Sequence, residues 1–416
     1  MRILWVKGGK LVPPNTGGKL RTLNILRHLA AHHEVTLFSY YGGHRDEEYE
    51  RVIVAELPGA VVVYTAAPDV TMAERVGDYV RRLPSRAPYA VTKFTDRRVQ
   101  QILARWLAER RFDVAVCDFL CASLNFPRHL ATTTVLFQHN VETVLWQRKV
   151  KHEAKWIDRV IARIEYAKMR RYEPEAVRRF HHVIAVSEND RQEMLPMVEG
   201  SRITVVPTGV DLRQFQPAKN GTAPKLLVVF TGSMDWEANI DGVEFFCQQV
   251  WPHVLREMPQ AHFRIVGKDP HPRVTKLACE TVEVTGTVPS VVEHLREAAV
   301  FVVPLRIGGG TRLKIYEAMA MGKAVVSTTV GAEGLDVEHG KDILLADDPT
   351  SFAESVVRFL RDQETRQRFE AAATEKAGCY DWSRVTERFV EVLRQVAATA
   401  VEPGLQGESL RTVTTG

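Results

Sequence analysis

Two successive β/α series constrain this chain more than any other feature. Short apolar runs alternate with helical patterns through residues 1–210, and the alternation restarts at Leu226 and continues to Leu345. In the first series the runs are Ile3–Lys7, Val35–Tyr40, Ala60–Tyr64, Val114–Cys117, Thr133–Phe137, Val183–Val186 and Ile203–Val206. In the second they are Leu226–Phe230, Phe263–Val266, Val282–Val284, Val300–Val303, Ala324–Ser327 and Ile343–Leu345. Most are continuously apolar rather than alternating, which is the pattern of strands covered on both faces of a parallel sheet. Two such series predict an α/β protein of two doubly wound, Rossmann-like domains facing across a cleft, with ligands at the carboxyl ends of the strands. Pro207-Thr208-Gly209-Val210-Asp211 marks the junction. The expected partition is 1–210, 211–380, a closing helix at 381–400 packing back toward the N-terminal domain, and a polar, disordered tail at 401–416.

Composition narrows the class. Of 416 residues, 45% are hydrophobic and 25% charged, enough apolar mass for two cores. The formal charge of +4 is too small to imply wholesale nucleic-acid binding. Five cysteines form no CxxC pair and no zinc spacing, so they read as reduced thiols of a cytoplasmic protein. No run reaches transmembrane length, and the chain opens on the strand-like Ile3-Leu4-Trp5-Val6 with no leader pattern.

The stretch Gly308 to Lys323 carries the strongest chemical signal. An apolar run, three glycines, a helical pattern ending at Gly322 and a second apolar run form a strand, loop, helix and strand whose loop admits a ligand to the backbone. With Thr311 as N-cap, Arg312 falls at N1 and Lys314 at N3. A helix N-terminus already carries roughly +0.5 of a charge, so cations there are locally unfavourable. An anion, above all a diphosphate, resolves the conflict. The competing reading has both cations solvated and Lys314 paired with Glu317, but it leaves the glycines without a purpose.

The loop after the first strand, Gly8 to Lys19, is no P-loop, because Pro13 stands at the first glycine position and Leu20 at the hydroxyl position. No Gly-x-Gly-x-x-Gly fingerprint occurs either. Gly17-Gly18 still opens a helix at a strand end and is a candidate oxyanion contact. His139 follows the run Thr133–Phe137 at its carboxyl end, where the fold places a site. The doublets His32-His33 and His181-His182 read as surface residues. Between Val141 and His182 the pattern is long, helical and basic, with eleven cations against six acids and an apolar side that includes Trp146, Trp156, Ile157, Ile161 and Ile164. Either this is an amphipathic face for an anionic membrane or lipid-linked acceptor, or a helix packed on its own domain.

Taken in order, these segments resemble the GT4-type retaining glycosyltransferases of the GT-B fold, and among them bacterial exopolysaccharide-type sugar transferases. The resemblance rests on Thr16-Gly17-Gly18, on Val205 to Asp211, on Gly232-Ser233-Met234-Asp235-Trp236, on Thr285-Gly286-Thr287-Val288 and on Gly308 to Gly322. It implies transfer of a sugar from a UDP- or GDP-linked donor to a hydroxyl of a glycan or lipid-linked saccharide, without metal or further cofactor. It also implies a cytoplasmic protein, peripheral at the inner face of the membrane. By resemblance, Glu317 binds the ribose, while Gly17, Gly18, Gly232, Ser233, Gly309, Gly310 and Thr311 line the donor and Thr287 lies by the base. Arg312 and Lys314 would neutralise the diphosphate, and His139 would stand beside the transferred sugar. The chain departs from the family at Gly309, where the first glutamate of the Glu-x7-Glu motif is expected, and at Gly232 to Trp236, where the usual Arg and Lys are absent. A nucleotide-sugar 2-epimerase and an inactive scaffold on the same fold are the alternatives.

Overall fold

The computed structural model describes residues 1–65, 71–153, 155–217, 226–307 and 312–399. Gly309, Gly310 and Thr311, the Lys219-Asn220-Gly221 stretch and the 401–416 tail lie outside the described residues.

The chain divides into two units, residues 1–206 with 386–416 and residues 207–385. The first is built on seven parallel strands: β1 (Arg2–Gly8), β2 (Glu34–Tyr41), β3 (Val61–Tyr64), β4 (Val114–Asp118), β5 (Thr134–Phe137), β6 (His182–Ala185) and β7 (Ile203–Val205). Their order is β3-β2-β1-β4-β5-β6-β7. The second holds six: β8 (Leu227–Thr231), β9 (His262–Val266), β10 (Val282–Val284), β11 (Val300–Val303), β12 (Ala324–Ser327) and β13 (Leu344–Leu345), in the order β10-β9-β8-β11-β12-β13. Both sheets reverse their winding once, between β1 and β4 and between β8 and β11, and such switch points open a crevice beyond the strand ends.

The apolar runs become strands because helices cover both sheet faces. Every residue of β4, β5, β8, β11 and β12 is buried. Helix starts follow side-chain capping: Thr16 accepts from the Lys19 amide to open Gly17–Ala30, and Asp96 accepts from Arg98 and Val99 to open Arg97–Ala108. The last helix, Trp382–Thr399, starts in the second unit and from Thr386 onward belongs to the first, where Phe389 packs on Trp5 and Phe137.

Two expectations change. The basic segment is not one helix but two, Glu142–His152 and Trp156–Arg179. The chain turns extended at Glu153 and Lys155, and the Arg159 guanidinium donates back to the Glu153 carbonyl at 2.9 and 2.6 Å. The histidine doublets are not wholly superficial either. His182 is half-buried, its Nε2 lies 2.9 Å from Thr204 Oγ1, and burial lowers its pKa to about 4, with Arg202 adding to the shift.

Candidate functional site

At the first switch point, cross-strand register brings Lys7 of β1 opposite Asp118 of β4, and Asp118 opposite Phe137 of β5. The Asp118 carboxylate is fully buried and heavily bonded. Its Oδ2 accepts from Thr22 Oγ1 at 2.7 Å and Trp5 Nε1 at 3.1 Å, and forms a salt bridge with Lys7 Nζ at 3.1 Å. Its Oδ1 faces His139 Nε2 at 2.7 Å. The other ring nitrogen, Nδ1, lies 2.8 Å from Arg21 Nη1. A guanidinium can only donate, so Nδ1 is the acceptor and Nε2 carries the proton to Asp118. The ring is therefore neutral, in a single tautomer. Burial, reinforced by Arg21 and Lys7, lowers its pKa to about 3 against the opposing pull of Asp118. Burial alone would raise the Asp118 pKa, yet Lys7, His139 and Thr22 hold it well below the usual carboxylate range.

Phe119, next in sequence, closes the cluster. Its ring stacks on the imidazole at 3.7 Å, and Lys7 Nζ sits 4.1 Å from its centroid. Its backbone lies at φ 70°, ψ 150°, a region open essentially to glycine, which costs about 1–3 kcal/mol. Gly18 permits that placement, because a Cβ there would lie 2.7 Å from Phe119 Cζ. Gly17 is exposed at the helix start. His139 thus stands where the sequence puts it, at the end of β5. At 2% exposure with both nitrogens engaged, it is seated as a fixed neutral ring.

The second switch point differs. Gly232 follows β8, and its amide donates to Val266 O at 2.9 Å. A Cβ on Gly232 would meet Asn239 Nδ2 at 2.8 Å and Lys314 Nζ at 2.9 Å, so only glycine leaves the lysine its place. Lys314 Nζ donates to Asn239 Oδ1 at 3.2 Å and lies 4.2 Å from the Phe230 ring centroid. Asn239 is in turn oriented by its Nδ2 donating to Ser233 O at 2.8 Å. The Lys314 ammonium is held by a neutral amide and an aromatic face. Burial first, then Arg312, lower its pKa to about 7 despite Glu317. Burial raises Glu317 to about 7, with Lys314 pulling the other way.

The helix following the glycine loop is Leu313–Ala320, with half-buried Arg312 at the N-cap and Lys314 at N2. That corrects the N1 and N3 assignment: the helix begins one residue later than it would with Thr311 as its N-cap. Ser233 Oγ donates to Asp235. Thr287 is exposed in the loop after β10, at the sheet edge two strands from β8. Sequence reasoning missed Asp118, Lys7, Arg21, Phe119 and Asn239. The one available signal was an acid ending the apolar run Val114–Cys117 at a strand terminus.

Two parallel, doubly wound units, each with a polar cluster at its switch point, define the GT-B class. Two family models match in succession, "Glycosyltransferase Family 4" over residues 16–214 and "Glycosyl transferases group 1" over residues 225–362. The chain belongs to the GT4-type glycosyltransferases. An uncharacterised 44.6 kDa protein in the cps region of Klebsiella pneumoniae is 26% identical over 32% of this chain, which spans 37% of that relative's length. The phosphatidyl-myo-inositol mannosyltransferase of Mycolicibacterium smegmatis is 26% identical over 56% of this chain and 62% of its own. Its Mycobacterium leprae counterpart is 25% identical over 81% and 88%. Among solved structures, sucrose-phosphate synthase of Thermosynechococcus elongatus superposes with a TM-score of 0.68 at 16% identity, covering 96% of this chain and all of that one. HepE of Anabaena, in complex with UDP and glucose, gives 0.63 at 14% identity over 95% of this chain and 100% of its own. No described helix is long and apolar enough to cross a membrane.

Proposed function

We propose that this glycosyltransferase takes a nucleoside diphosphate sugar at the second switch point and passes the sugar, with retention, to a hydroxyl of a glycan or lipid-linked saccharide in exopolysaccharide or cell-surface glycan synthesis. The observation that carries the donor reading is Lys314. It is an enclosed ammonium at the first turn of a helix, held in a pocket that only glycine at 232 can form, with a neutral amide as its hydrogen-bond acceptor. A diphosphate supplies the missing counter-charge, and Arg312 with the helix N-terminus adds to the field. Positive charge placed where the leaving diphosphate gains negative charge stabilises the transition state more than the ground state. Glu317, one turn along, accepts the ribose hydroxyls. His139 serves as a fixed neutral ring that shapes the Gly17-Gly18 loop.

The UDP and glucose bound by HepE, and the relatives named for mannosyl transfer to phosphatidyl-myo-inositol, support a nucleotide-sugar donor and a lipid-linked acceptor. The two cations carry the charge without a metal, so activity is expected to persist in EDTA. Isothermal calorimetry with UDP and GDP tests the donor reading. One of them binds the native chain, and Lys314→Met weakens that binding about tenfold or more. Native protein that bound neither nucleotide would sink it.

A further inference from the structure

The turn after β5 carries a pair of carboxyls that the donor reading leaves unused. It runs through Gln138, His139, Asn140 and Val141 into the helix Glu142–His152, whose N-cap, Val141, has no side-chain acceptor to offer. The acceptor comes from another helix. Glu173, fully buried within Trp156–Arg179, takes hydrogen bonds from Gln138 Nε2 at 2.8 Å, the Glu142 amide at 2.9 Å and the Thr143 amide at 2.7 Å. Three donors satisfy that carboxylate, and through them it ties down the turn that seats His139.

The Glu142 side chain is left in a different state. Its carboxyl is half-buried, lies within reach of the Glu173 charge, and accepts no hydrogen bond among the described residues. The titratable groups around it are Glu173 on the long helix, exposed Lys93 at the end of the short helix Tyr89–Thr92, and the half-buried Cys121 thiol in the 3₁₀ segment Leu120–Asn125. Burial raises the Cys121 pKa to about 12, so the thiol is neutral. Burial, then Glu173, raise the Glu142 pKa to about 7, with Lys93 pulling the other way. Two neighbouring carboxylates share a proton most readily on the member with fewer donors, which here is Glu142.

A carboxyl withdrawn from water without a donor costs free energy until something supplies one. In a doubly wound sheet the space beyond the carboxyl ends of the strands is where ligands enter. The charges nearby select the kind of ligand. An anion would meet two carboxyls, and a cation would meet Lys93, whereas a hydroxyl donates a hydrogen bond without adding charge. We propose that Glu142 is an acceptor-binding residue whose carboxylate receives a hydrogen bond from a hydroxyl of the incoming saccharide, with Glu173 and Gln138 as positioning residues that fix its turn. This assignment rests on the reading of the reaction as transfer to a saccharide hydroxyl, and it adds the side chain in the first unit that holds that hydroxyl.

Saturation-transfer NMR reads the binding of methyl β-D-glucopyranoside and methyl α-D-mannopyranoside to the full chain. No nucleotide is present, so this reading and the donor reading fail separately. The native chain should bind at least one glycoside, and more tightly as pH rises through about 7, because an ionised carboxylate is the stronger acceptor. Glu142→Ala should weaken that binding about tenfold at pH 8. Glu142→Gln should match the native chain at pH 6 and fall behind it at pH 8. Stability should move the other way. A carboxyl raised from 4.5 unfolded to about 7 folded loses stability as pH rises through that window, so Glu142→Gln should melt above the native chain at pH 8. A merely structural glutamate would do the reverse, lowering the melting temperature with glycoside binding untouched. Binding of neither glycoside, native-like binding by Glu142→Ala, or a Glu142→Gln chain that melts below the native one at pH 8 overturns the proposal.

Discussion

The two switch points share a topology and differ in how their charges are balanced. In the first unit the cluster is closed. Lys7 meets Asp118, Asp118 meets His139, and His139 meets Arg21, each within 3.1 Å. In the second, Lys314 has Asn239 and Phe230 for company, and burial moves Lys314 down and Glu317 up to about 7, each held back by the other. Equivalent positions in a doubly wound sheet thus serve opposite ends. One holds the chain in a fixed shape, and the other, on the proposed reading, receives an anion. The difference lies in whether the neighbouring element supplies a carboxylate or an amide.

The largest effect should come from breaking the closed cluster. Asp118→Ala leaves Lys7 as a buried cation without its counter-ion and strips Trp5, Thr22 and His139 of an acceptor. A loss of about 3–5 kcal/mol is expected by denaturant titration. Lys314→Met, by contrast, removes an enclosed ammonium. Stability should stay level or rise, while turnover falls by about 10²–10³, as when one donor to a developing anion is deleted. If both variants lost stability alike, the contrast between the two clusters would collapse.

The sheets were legible because a strand covered on both faces has one solution, a largely continuous apolar run, and β4, β5, β8, β11 and β12, buried along their whole length, follow it. The proposed anion site drew notice in the sequence because cations at a helix start break a local rule. What stayed hidden depends on three-dimensional neighbours. Asp118 is an isolated acid in a sequence with no motif around it. The strain at Phe119 arises from ring packing, since no residue near it announces a positive φ. The break at Glu153 to Lys155 has ordinary helix formers on both sides and is set by Arg159 reaching back. Asn239 is seven residues from Gly232, on the next helix, and gains meaning only from Lys314 Nζ.

The pH dependences should also divide. In the first unit, His139 titrates at about 3 folded against 6.5 unfolded, so between those values the unfolded state binds more protons. Stability is therefore full above about 6.5 and falls as pH drops toward 3, with depressed Asp118 adding loss below the ordinary carboxylate value of 3.8. In the second, Lys314 loses its proton near 7 in the free protein, against 10.5 unfolded. Nucleotide affinity should then decline by up to about tenfold per pH unit above 7, because the anion must restore the proton. Calorimetry across pH 6–9 reads this slope, and Lys314→Arg, which stays charged, should flatten it.

The smallest effect sharpens the comparison most, because it uses the same substitution at both sites. Gly18→Ala drives a Cβ into Phe119 at 2.7 Å, the end of a ring held by His139 and by a strained backbone. Gly232→Ala drives one into Asn239 and the Lys314 ammonium at 2.8 and 2.9 Å. The first obstacle is a packed ring, and yielding should cost about 1–3 kcal/mol of stability, as for overpacking elsewhere. The second is the tip of a flexible lysine, which can swing aside at little cost in stability but leaves the anion position when it does. Gly18→Ala should therefore lower the melting temperature with nucleotide affinity kept, and Gly232→Ala should weaken nucleotide binding with the melting temperature kept. Thermal melts with and without UDP or GDP check both at once, because a ligand that binds only the folded state raises the midpoint in proportion to its affinity. Reversal of the two outcomes would mean that the first cluster, and not the second, is the one that meets the donor.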